Sequence, residues 1–349
     1  MPSPSSVRKA VFVVGSGRSG TSTMAGALQA LGAYVPQPEV RADETNPKGF
    51  AEPQWVVDLH TELLQRHHVQ VSDARPSAWF ETGKASTSGI TRARVTEWLG
   101  GQYAAAEARE PATTELVVKD PRLAWFVGLW KASALRCDSE TSFVTMLRHV
   151  TEVVGSKKRY YAPGQTSSAF SEIQRTAAWV NMMLHTERAT RGGNRAFVRY
   201  DDLLTDWTVP VFELGQQLGL RSVQEATANS IRSVHQFVDP GLRRVRTTWD
   251  DVHVPARLKE LAEETWQALD KLPDREQDTP ELHATLDQLR AEYVAFYDEA
   301  EAVAQSSVLA ARREGRQQAR EEATPAPAPG LRAYVPEGAK RRIRKVLHR

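Results

Sequence analysis

Short apolar runs alternate along this chain with longer stretches whose apolar positions recur every three or four residues. Four runs are continuous enough to be buried strands; they lie at residues 11–14, 115–119, 142–147 and 195–200. The stretch after the first run places Met24, Leu28 and Leu31 at helical spacing. Strands that alternate with helices predict an α/β fold with a mostly parallel central sheet flanked by helices.

The predicted strands end beside residues that are suited to ligand binding. These residues are Gly15, Lys119, Arg148 and Tyr200. Ligands of open parallel sheets bind at the carboxyl ends of the strands. We therefore expect the ligand site at this edge of the sheet.

The pattern changes beyond Pro255, where apolar residues at helical spacing predict two amphipathic helices that pack as a hairpin or onto the core. The second helix is predicted to continue past Val308 to about Glu322, and the Pro/Ala-rich run at 324–330 predicts a semi-rigid linker. Residues 73–88, rich in small and polar types, predict an ordered loop. The predicted parts are an α/β domain over 1–250, a helical extension over 251–323, and a linker with a basic tail over 324–349.

Composition narrows the class of protein. The 349 residues carry 45 Lys and Arg against 43 Asp and Glu, so no overall positive field attracts the chain to nucleic acid. A single cysteine, Cys137, excludes an internal disulfide framework and suits a reducing cytoplasm. No segment reaches the about 20 apolar residues that span a bilayer, and the first apolar run is too short for a secretory signal. We expect a soluble, cytoplasmic protein.

A glycine-rich loop joins the first strand to the first helix through Gly15, Gly17 and Gly20. Glycines let the backbone approach an anion closely, and the following helix offers unpaired N–H groups and the positive end of its dipole. The loop nearly matches a phosphate-binding loop, but Thr21 stands where that pattern requires Lys, and Arg18 is its only cation. The sequence predicts a bound phosphate here; the alternative is a plain Gly/Ser-rich turn.

The segment from Arg18 to Ser22 resembles the 5′-phosphosulfate loop of sulfotransferases that use 3′-phosphoadenosine-5′-phosphosulfate (PAPS), in which Lys or Arg precedes Ser-Gly-Thr. Further segments resemble that family in chain order; they are N-P-K-G-F-A-E at 46–52, K-D-P-R at 119–122, and Arg148 with Ser156. The resemblance runs to about residue 245. It implies a P-loop-like sulfotransferase fold and transfer of a sulfonate group from PAPS to a hydroxyl, with no metal required.

The resemblance also implies which residues hold PAPS and which act on the acceptor. The implied PAPS-binding residues are Gly17, Arg18, Ser19, Gly20, Thr21, Ser22, Arg148, Ser156, Arg243 and Arg244. Glu52 is implied to accept the proton of the acceptor hydroxyl, and Arg18 to stabilise charge growing on the bridging oxygen. Lys119 is implied to face the sulfonate or an anionic acceptor. His60, His67 and His68 lack partners at metal-binding spacing, so no metal site is predicted.

Each of these residues also has a structural alternative. Glu52 precedes Pro53 at a predicted helix start and would serve there as an N-terminal charge. Arg148 would form an ion pair with Glu152, four residues on. Lys119 would belong to a salt-bridge cluster that supports the site without touching ligand, and the arginines near 243 would form a solvated loop.

Three functional hypotheses remain at the sequence level. The first is a PAPS-dependent sulfotransferase acting on a carbohydrate, glycolipid or small metabolite. The second is a phosphate-loop kinase of a small metabolite, for which Asp120 would bind Mg²⁺. The third is a non-catalytic binding protein that acts through the basic segment from Lys340 to Arg349, whose cations and apolar stripe suit peripheral membrane contact or else a solvated end.

Overall fold

A single parallel sheet organises the protein. The computed structural model describes residues 7–109, 113–161, 169–239, 241 and 246–323, the side chains of 160, 161 and 321–323 excepted. Within these residues four strands form one sheet in the order β2-β1-β3-β4, every pairing parallel. The strands are β1 (Arg8–Val14), β2 (Glu115–Lys119), β3 (Ser139–Leu147) and β4 (Asn194–Arg199). The predicted α/β class is confirmed.

Helices connect the strands and continue after the sheet is complete. They are α1 (Thr21–Ala30), α2 (Gln54–Arg66), α3 (Ala78–Thr87), α4 (Gly89–Glu107), α5 (Val127–Leu135), α6 (Val150–Tyr161), α7 (Ala169–Thr190), α8 (Tyr200–Thr205), α9 (Thr208–Leu218), α10 (Arg221–Gln224), α11 (Ala228–Phe237), α12 (Ala256–Leu269) and α13 (Pro280–Ala323). Among the described helices none is long and apolar enough to cross a membrane.

Apolar side chains cover both faces of the sheet. Because successive residues of a strand point to opposite faces, β1 supplies Phe12 to one core and Val13 to the other. The core that contains Phe12 is closed by α2, α4 and α5, whereas the core that contains Val13 is closed by α1, α9 and α11. The sheet is thus buried on both sides, which leaves the strand ends as the place for a ligand.

The strand order creates an opening at the carboxyl edge. From β1 the chain passes to β2 on one side and then to β3 on the other side of β1. The connections that leave the carboxyl ends of β1 and β3 therefore diverge, and a crevice forms between them. The glycine-rich loop follows β1, and Arg148 follows β3, so both lie at this crevice.

The two amphipathic helices predicted beyond Pro255 are present as α12 and α13. Leu258 and Leu286 join a third apolar cluster with Trp179 of α7 and Phe197 of β4, so these helices pack onto the core of the α/β unit. The chain divides into two compact units, one ending at Tyr297 and the next starting at Asp298. The boundaries at 250 and 323 stay a prediction, and the linker and basic tail over 324–349 lie outside the described residues.

The prediction of a loop over residues 73–88 is wrong in its second half, where α3 forms. Ala78, Thr82 and Ala85 are buried at helical spacing. Two alanines and a threonine give little apolar signal, so the period of this helix was hidden in the sequence. Tertiary packing of small side chains stabilises α3 where propensity alone does not.

Candidate functional site

The glycine-rich loop packs so closely on its neighbours that two of its glycines have no room for a side chain. A Cβ on Gly15 would lie 2.8 Å from the carbonyl oxygen of Met146 in β3, and one on Gly20 would lie 2.1 Å from the ring of Tyr200. Gly20 also has a φ of +90°, in the left-handed region that disfavours other residues. These contacts fix the loop against β3 and the start of α8.

We expect the substitution Gly20→Ala to destabilise the protein by at least about 2 kcal/mol, because alanine adds left-handed backbone strain to a steric clash with Tyr200. Thermal and urea unfolding measure the loss. Gly17→Ala in the same loop is the matched control, since a Cβ at Gly17 meets nothing closer than Pro121 at 3.8 Å. Equal stability losses for the two variants would contradict this account of the loop.

The start of α1 carries no negative charge in its first turn. Gly20 precedes the helix, and no side chain among the described residues caps this end. That turn is formed by Thr21, Ser22 and Thr23. The N–H and the hydroxyl of Ser19 both donate to the carbonyl oxygen of Ser16, at 3.1 and 2.6 Å. Unsatisfied N–H groups at the positive end of the helix dipole therefore face the crevice.

Two guanidinium groups converge on the same loop. Arg18, with a φ of +76°, donates from Nε to Ser156 Oγ at 3.1 Å. Arg148 donates from Nη1 to the carbonyl oxygen of Arg18 at 3.0 Å and lies over the ring of Tyr200. The ion pair with Glu152 is also present, with Nε 2.9 Å from Oε2. Arg18 and Ser156, implied to act at different groups of PAPS, thus touch one another, and Arg148 supports the loop as well as facing the crevice.

Lys119 joins the loop to Glu52. Its Nζ donates to Ser22 Oγ at 2.9 Å, to the carbonyl oxygen of Phe50 at 3.1 Å and to Glu52 Oε1 at 2.5 Å. Lys119 is 1% exposed and Glu52 8% exposed, so this ion pair is buried. The structure therefore brings both implied catalytic residues of this region beside the first turn of α1.

The segment that carries Glu52 is held at both sides. The carbonyl oxygen of Glu52 accepts from the N–H of Val40 at 2.8 Å, and α2 begins two residues later. Upstream, Lys48 donates from Nζ to the carbonyl oxygen of Phe237 at 2.6 Å. The ring of Phe237 lies where a Cβ on Gly26 would stand, so α11 packs directly on α1. Residues 45–52 are thus fixed between the strand edge and the end of α11.

A buried hydrogen-bond network behind Lys119 includes His60. From the sequence alone, this residue is considered only as a possible metal ligand. Trp130 Nε1 donates to His60 Nε2 at 2.9 Å, and an indole N–H is only a donor. The ring proton is therefore on Nδ1, which donates to Asp120 Oδ2 at 2.8 Å. The other carboxylate oxygen accepts from the N–H and from Nη1 of Arg122, both at 3.0 Å. Burial raises the pKa of Asp120. The hydrogen bond from His60 and the charge of Arg122 have the larger combined effect and hold this pKa below its ordinary value.

We expect Asp120→Asn to lower the free energy of unfolding by about 1–3 kcal/mol near neutral pH, because the amide leaves a buried donor unpaired. The lowered pKa stabilises the fold above the unfolded pKa of about 3.9, and this stabilisation is lost as the pH falls through the folded value. Urea unfolding should therefore show a difference between the variant and the parent that shrinks below about pH 4. Asp58→Asn, on the exposed face of α2, is the control; a difference independent of pH would contradict an ionised Asp120.

The implied residues fall into three groups. Gly17, Arg18, Gly20, Thr21, Ser22, Glu52, Lys119, Arg148 and Ser156 line one cleft, together with Thr45, Asn46, Pro47, Phe50 and Tyr200. Ser19 is buried behind it. Arg243 and Arg244 lie outside the described residues. Tyr200, noted in the sequence only for its place at a strand end, forms a wall of this cleft. Among the described side chains no group of His, Cys, Asp and Glu could hold a metal ion.

Comparisons with known proteins identify a family. The profile of the Sulfotransferase family matches residues 10–225. The sulfotransferase domain of the olefin synthase of Synechococcus PCC 7002 superposes with a TM-score of 0.42 at 18% identity, over 76% of this chain and 97% of that chain. The sulfotransferase domain of the curacin biosynthetic pathway superposes with a TM-score of 0.40 at 14% identity, over 76% and 99%. Among curated proteins none matches the sequence.

Proposed function

Because the chain belongs to the sulfotransferase family, we propose that it transfers a sulfonate group from PAPS to a hydroxyl group of an acceptor. One observation carries this proposal. The uncapped start of α1, the guanidinium groups of Arg18 and Arg148, and the Lys119–Glu52 pair all meet in one cleft at the carboxyl edge of the sheet. An anionic donor and a proton-accepting group are the two things that sulfonate transfer requires.

The residues of the cleft fit PAPS. The backbone from Gly17 to Ser22 and the Arg18 side chain would hold the 5′-phosphosulfate, and Arg148 with Ser156 would hold the 3′-phosphate. Arg243 and Arg244 stay predicted contacts to that phosphate. When bound, PAPS supplies a sulfonate attached to a phosphate leaving group. Arg18 and the N–H groups of α1 are placed to stabilise negative charge on that leaving group.

Glu52 is the proposed base. Its carboxylate lies in the cleft beside Lys119, and it would accept the proton of the acceptor hydroxyl. The Lys119 ammonium holds one carboxylate oxygen and also bonds Ser22, so it positions the base relative to the anion-binding loop. The structural alternative for Glu52, a charge at the start of α2, does not explain its burial against a lysine of β2.

The acceptor surface is formed by the segment before Glu52. Asn46, Pro47 and Phe50 line the cleft on this side, and they combine polar and apolar contacts. Such a surface suits a carbohydrate, a glycolipid or a small metabolite with a free hydroxyl group. A peripheral membrane role for the segment from Lys340 to Arg349 would favour a lipid-linked acceptor.

The kinase hypothesis is less well supported. Its Mg²⁺ ligand would be Asp120, but this carboxylate is fully buried and its oxygens accept hydrogen bonds from His60 and Arg122. Position 21, where a phosphate-loop lysine would stand, is a threonine. The non-catalytic hypothesis leaves the buried Glu52–Lys119 pair in the cleft without a function.

Calorimetric titration tests the proposal. The full chain is titrated with 3′,5′-ADP, 5′-AMP and ATP, each with and without Mg²⁺. We expect metal-independent binding of 3′,5′-ADP that is at least about a hundredfold tighter than that of 5′-AMP, because the 3′-phosphate adds charge-assisted hydrogen bonds. A preference for Mg-ATP would instead support a kinase, and failure of all three nucleotides to bind would support a non-catalytic protein.

A further inference from the structure

Within the second unit, the described residues 298–323 form a single helix. The segment of α13 from Asp298 to Ala323 forms it, and this segment is here called the distal helix. Every residue from 298 to 320 is exposed except Val308, which is half-buried. Val303 is 86% exposed and Leu309 45% exposed. Helices in water gain most of their stability from burying an apolar face, and among residues 298–320 only Val308 is even half-buried.

Charges along the distal helix are sorted into blocks. An acidic block contains Asp298, Glu299 and Glu301, residues 302–311 are uncharged, and a block dominated by arginine contains Arg312, Arg313 and Arg316 with Glu314. None of the charged residues from 298 to 316 has an opposite charge three or four positions away. Opposite charges at those spacings stabilise a single helix and like charges destabilise it. From 298 to 316 the sequence therefore offers no ion pair at the spacings that stabilise a single helix.

Like charges instead share one side of the helix. With about 100° of rotation per residue, seven of the side chains from 298 to 316 fall within about 100° of the circumference. They are Asp298, Glu301, Gln305, Val308, Leu309, Arg312 and Arg316. This face, here called the charged stripe, is acidic at its start, uncharged in its middle, where Val308 and Leu309 lie near Gln305, and basic at its end. Asp298 repels Glu301 along it, and Arg312 repels Arg316.

We propose that the charged stripe pairs antiparallel with the charged stripe of a second copy of this chain. In that arrangement Asp298 faces Arg316 of the second copy and Glu301 faces its Arg312. In each pair the average of the two residue numbers is 307 or within half a position of 307. A single alignment of the two helices therefore forms both pairs. A two-fold axis at this point repeats each pair, which gives four ion pairs around a centre formed by Gln305, Val308 and Leu309.

Charge complementarity selects the direction as well as the partner. A parallel pair would place acidic residues against acidic residues and arginines against arginines, which is repulsive. In the antiparallel pair, attraction between the two helices offsets the repulsion between like charges within each helix. Because exposed ion pairs are individually weak and salt-sensitive, the association should be reversible and should weaken as salt screens the charges.

Sedimentation equilibrium of the full chain tests this proposal. We expect the parent protein to form dimers at about 100 µM in about 50 mM NaCl and to dissociate toward monomers in about 500 mM NaCl. The variant Asp298→Arg with Glu301→Arg makes the stripe entirely basic, and Arg312→Glu with Arg316→Glu makes it entirely acidic. Each variant alone should raise the dimer dissociation constant by at least about tenfold.

Mixing the two variants gives the sharpest outcome. An all-basic and an all-acidic stripe complement each other, so the mixture should form heterodimers and the fourfold charge swap should restore homodimers. Glu299→Arg with Glu314→Arg changes the net charge as much as the all-basic variant but lies off the stripe, so it should leave the dimer intact. Circular dichroism checks that each helix still forms.

Three results would overturn the proposal. One is a parent protein that stays monomeric at low salt, the second is a mixture of the two variants that does not associate, and the third is a control variant that dissociates as much as the stripe variants. Nucleotide binding is measured on the same samples and should not change, because none of these residues lies in the catalytic cleft. The outcome is thus independent of the proposed sulfonate transfer.

Discussion

Replacing Glu52 with glutamine is expected to lower kcat for sulfonate transfer by about a hundredfold to ten-thousandfold, the usual contribution of a positioned base. The amide has nearly the shape of the carboxylate and keeps an oxygen for Lys119 Nζ, but it cannot take the acceptor proton. Binding of 3′,5′-ADP should change by less than about threefold, because Glu52 is not among the proposed PAPS contacts. Turnover is measured with radiolabelled PAPS and an acceptor found by screening.

Loss of the ion pair must be separated from loss of the base. Glu52→Gln leaves the Lys119 ammonium without its buried counter-charge, so thermal unfolding of the variant is measured alongside turnover. Glu44→Gln, at an exposed position of the same segment, is the matched control and should turn over like the parent. A Glu52→Gln variant that keeps more than about a tenth of the parent kcat would exclude Glu52 as the base.

The second large effect concerns recognition of the 3′-phosphate. Arg148→Lys should weaken binding of 3′,5′-ADP by about 30- to 100-fold and binding of 5′-AMP by less than about threefold. A lysine cannot present two parallel N–H groups to a phosphate, nor reach both the carbonyl oxygen of Arg18 and the carboxylate of Glu152 as Arg148 does. Titration of both nucleotides into both proteins measures the change in preference.

Glu152→Gln provides the control for Arg148. It removes the buried ion pair and leaves the guanidinium in place, so we expect a stability loss of about 3 kcal/mol with the preference for 3′,5′-ADP retained. If Arg148→Lys instead weakened the binding of 3′,5′-ADP and of 5′-AMP equally, Arg148 would only support the loop.

The sequence was a good guide to the sheet because its signals are local. Buried parallel strands read as unbroken apolar runs, and Gly15, Lys119, Arg148 and Tyr200 could be placed at strand ends by position alone. Since all four strands are parallel, these residues could be assigned to one edge of the sheet without knowing how the loops run. The strand, glycine-rich loop and helix at 8–30 were predicted from glycine and apolar spacing in the same way.

Contacts between distant segments could not be predicted from spacing. Lys119 and Glu52 were separate candidates, and only the path of residues 45–52 brings them to 2.5 Å. The bond between Arg18 and Ser156 depends on the left-handed backbone of Arg18. His60 had one usable signal, its position on the apolar side of α2, but its partners Asp120 and Trp130 are far away in the sequence.

For the proposed acceptor surface, the attachment of residues 45–52 at both sides limits how acceptor specificity can be exchanged. Lys48 is anchored on the end of α11, and Glu52 is anchored on β2 through Lys119. A foreign segment grafted between Thr45 and Glu52 would lose the first anchor unless α11 came with it, and α11 in turn fits α1 only where Gly26 leaves room for Phe237. Exchange of specificity between relatives should therefore succeed when these pieces move as one cassette and fail when the loop is moved alone.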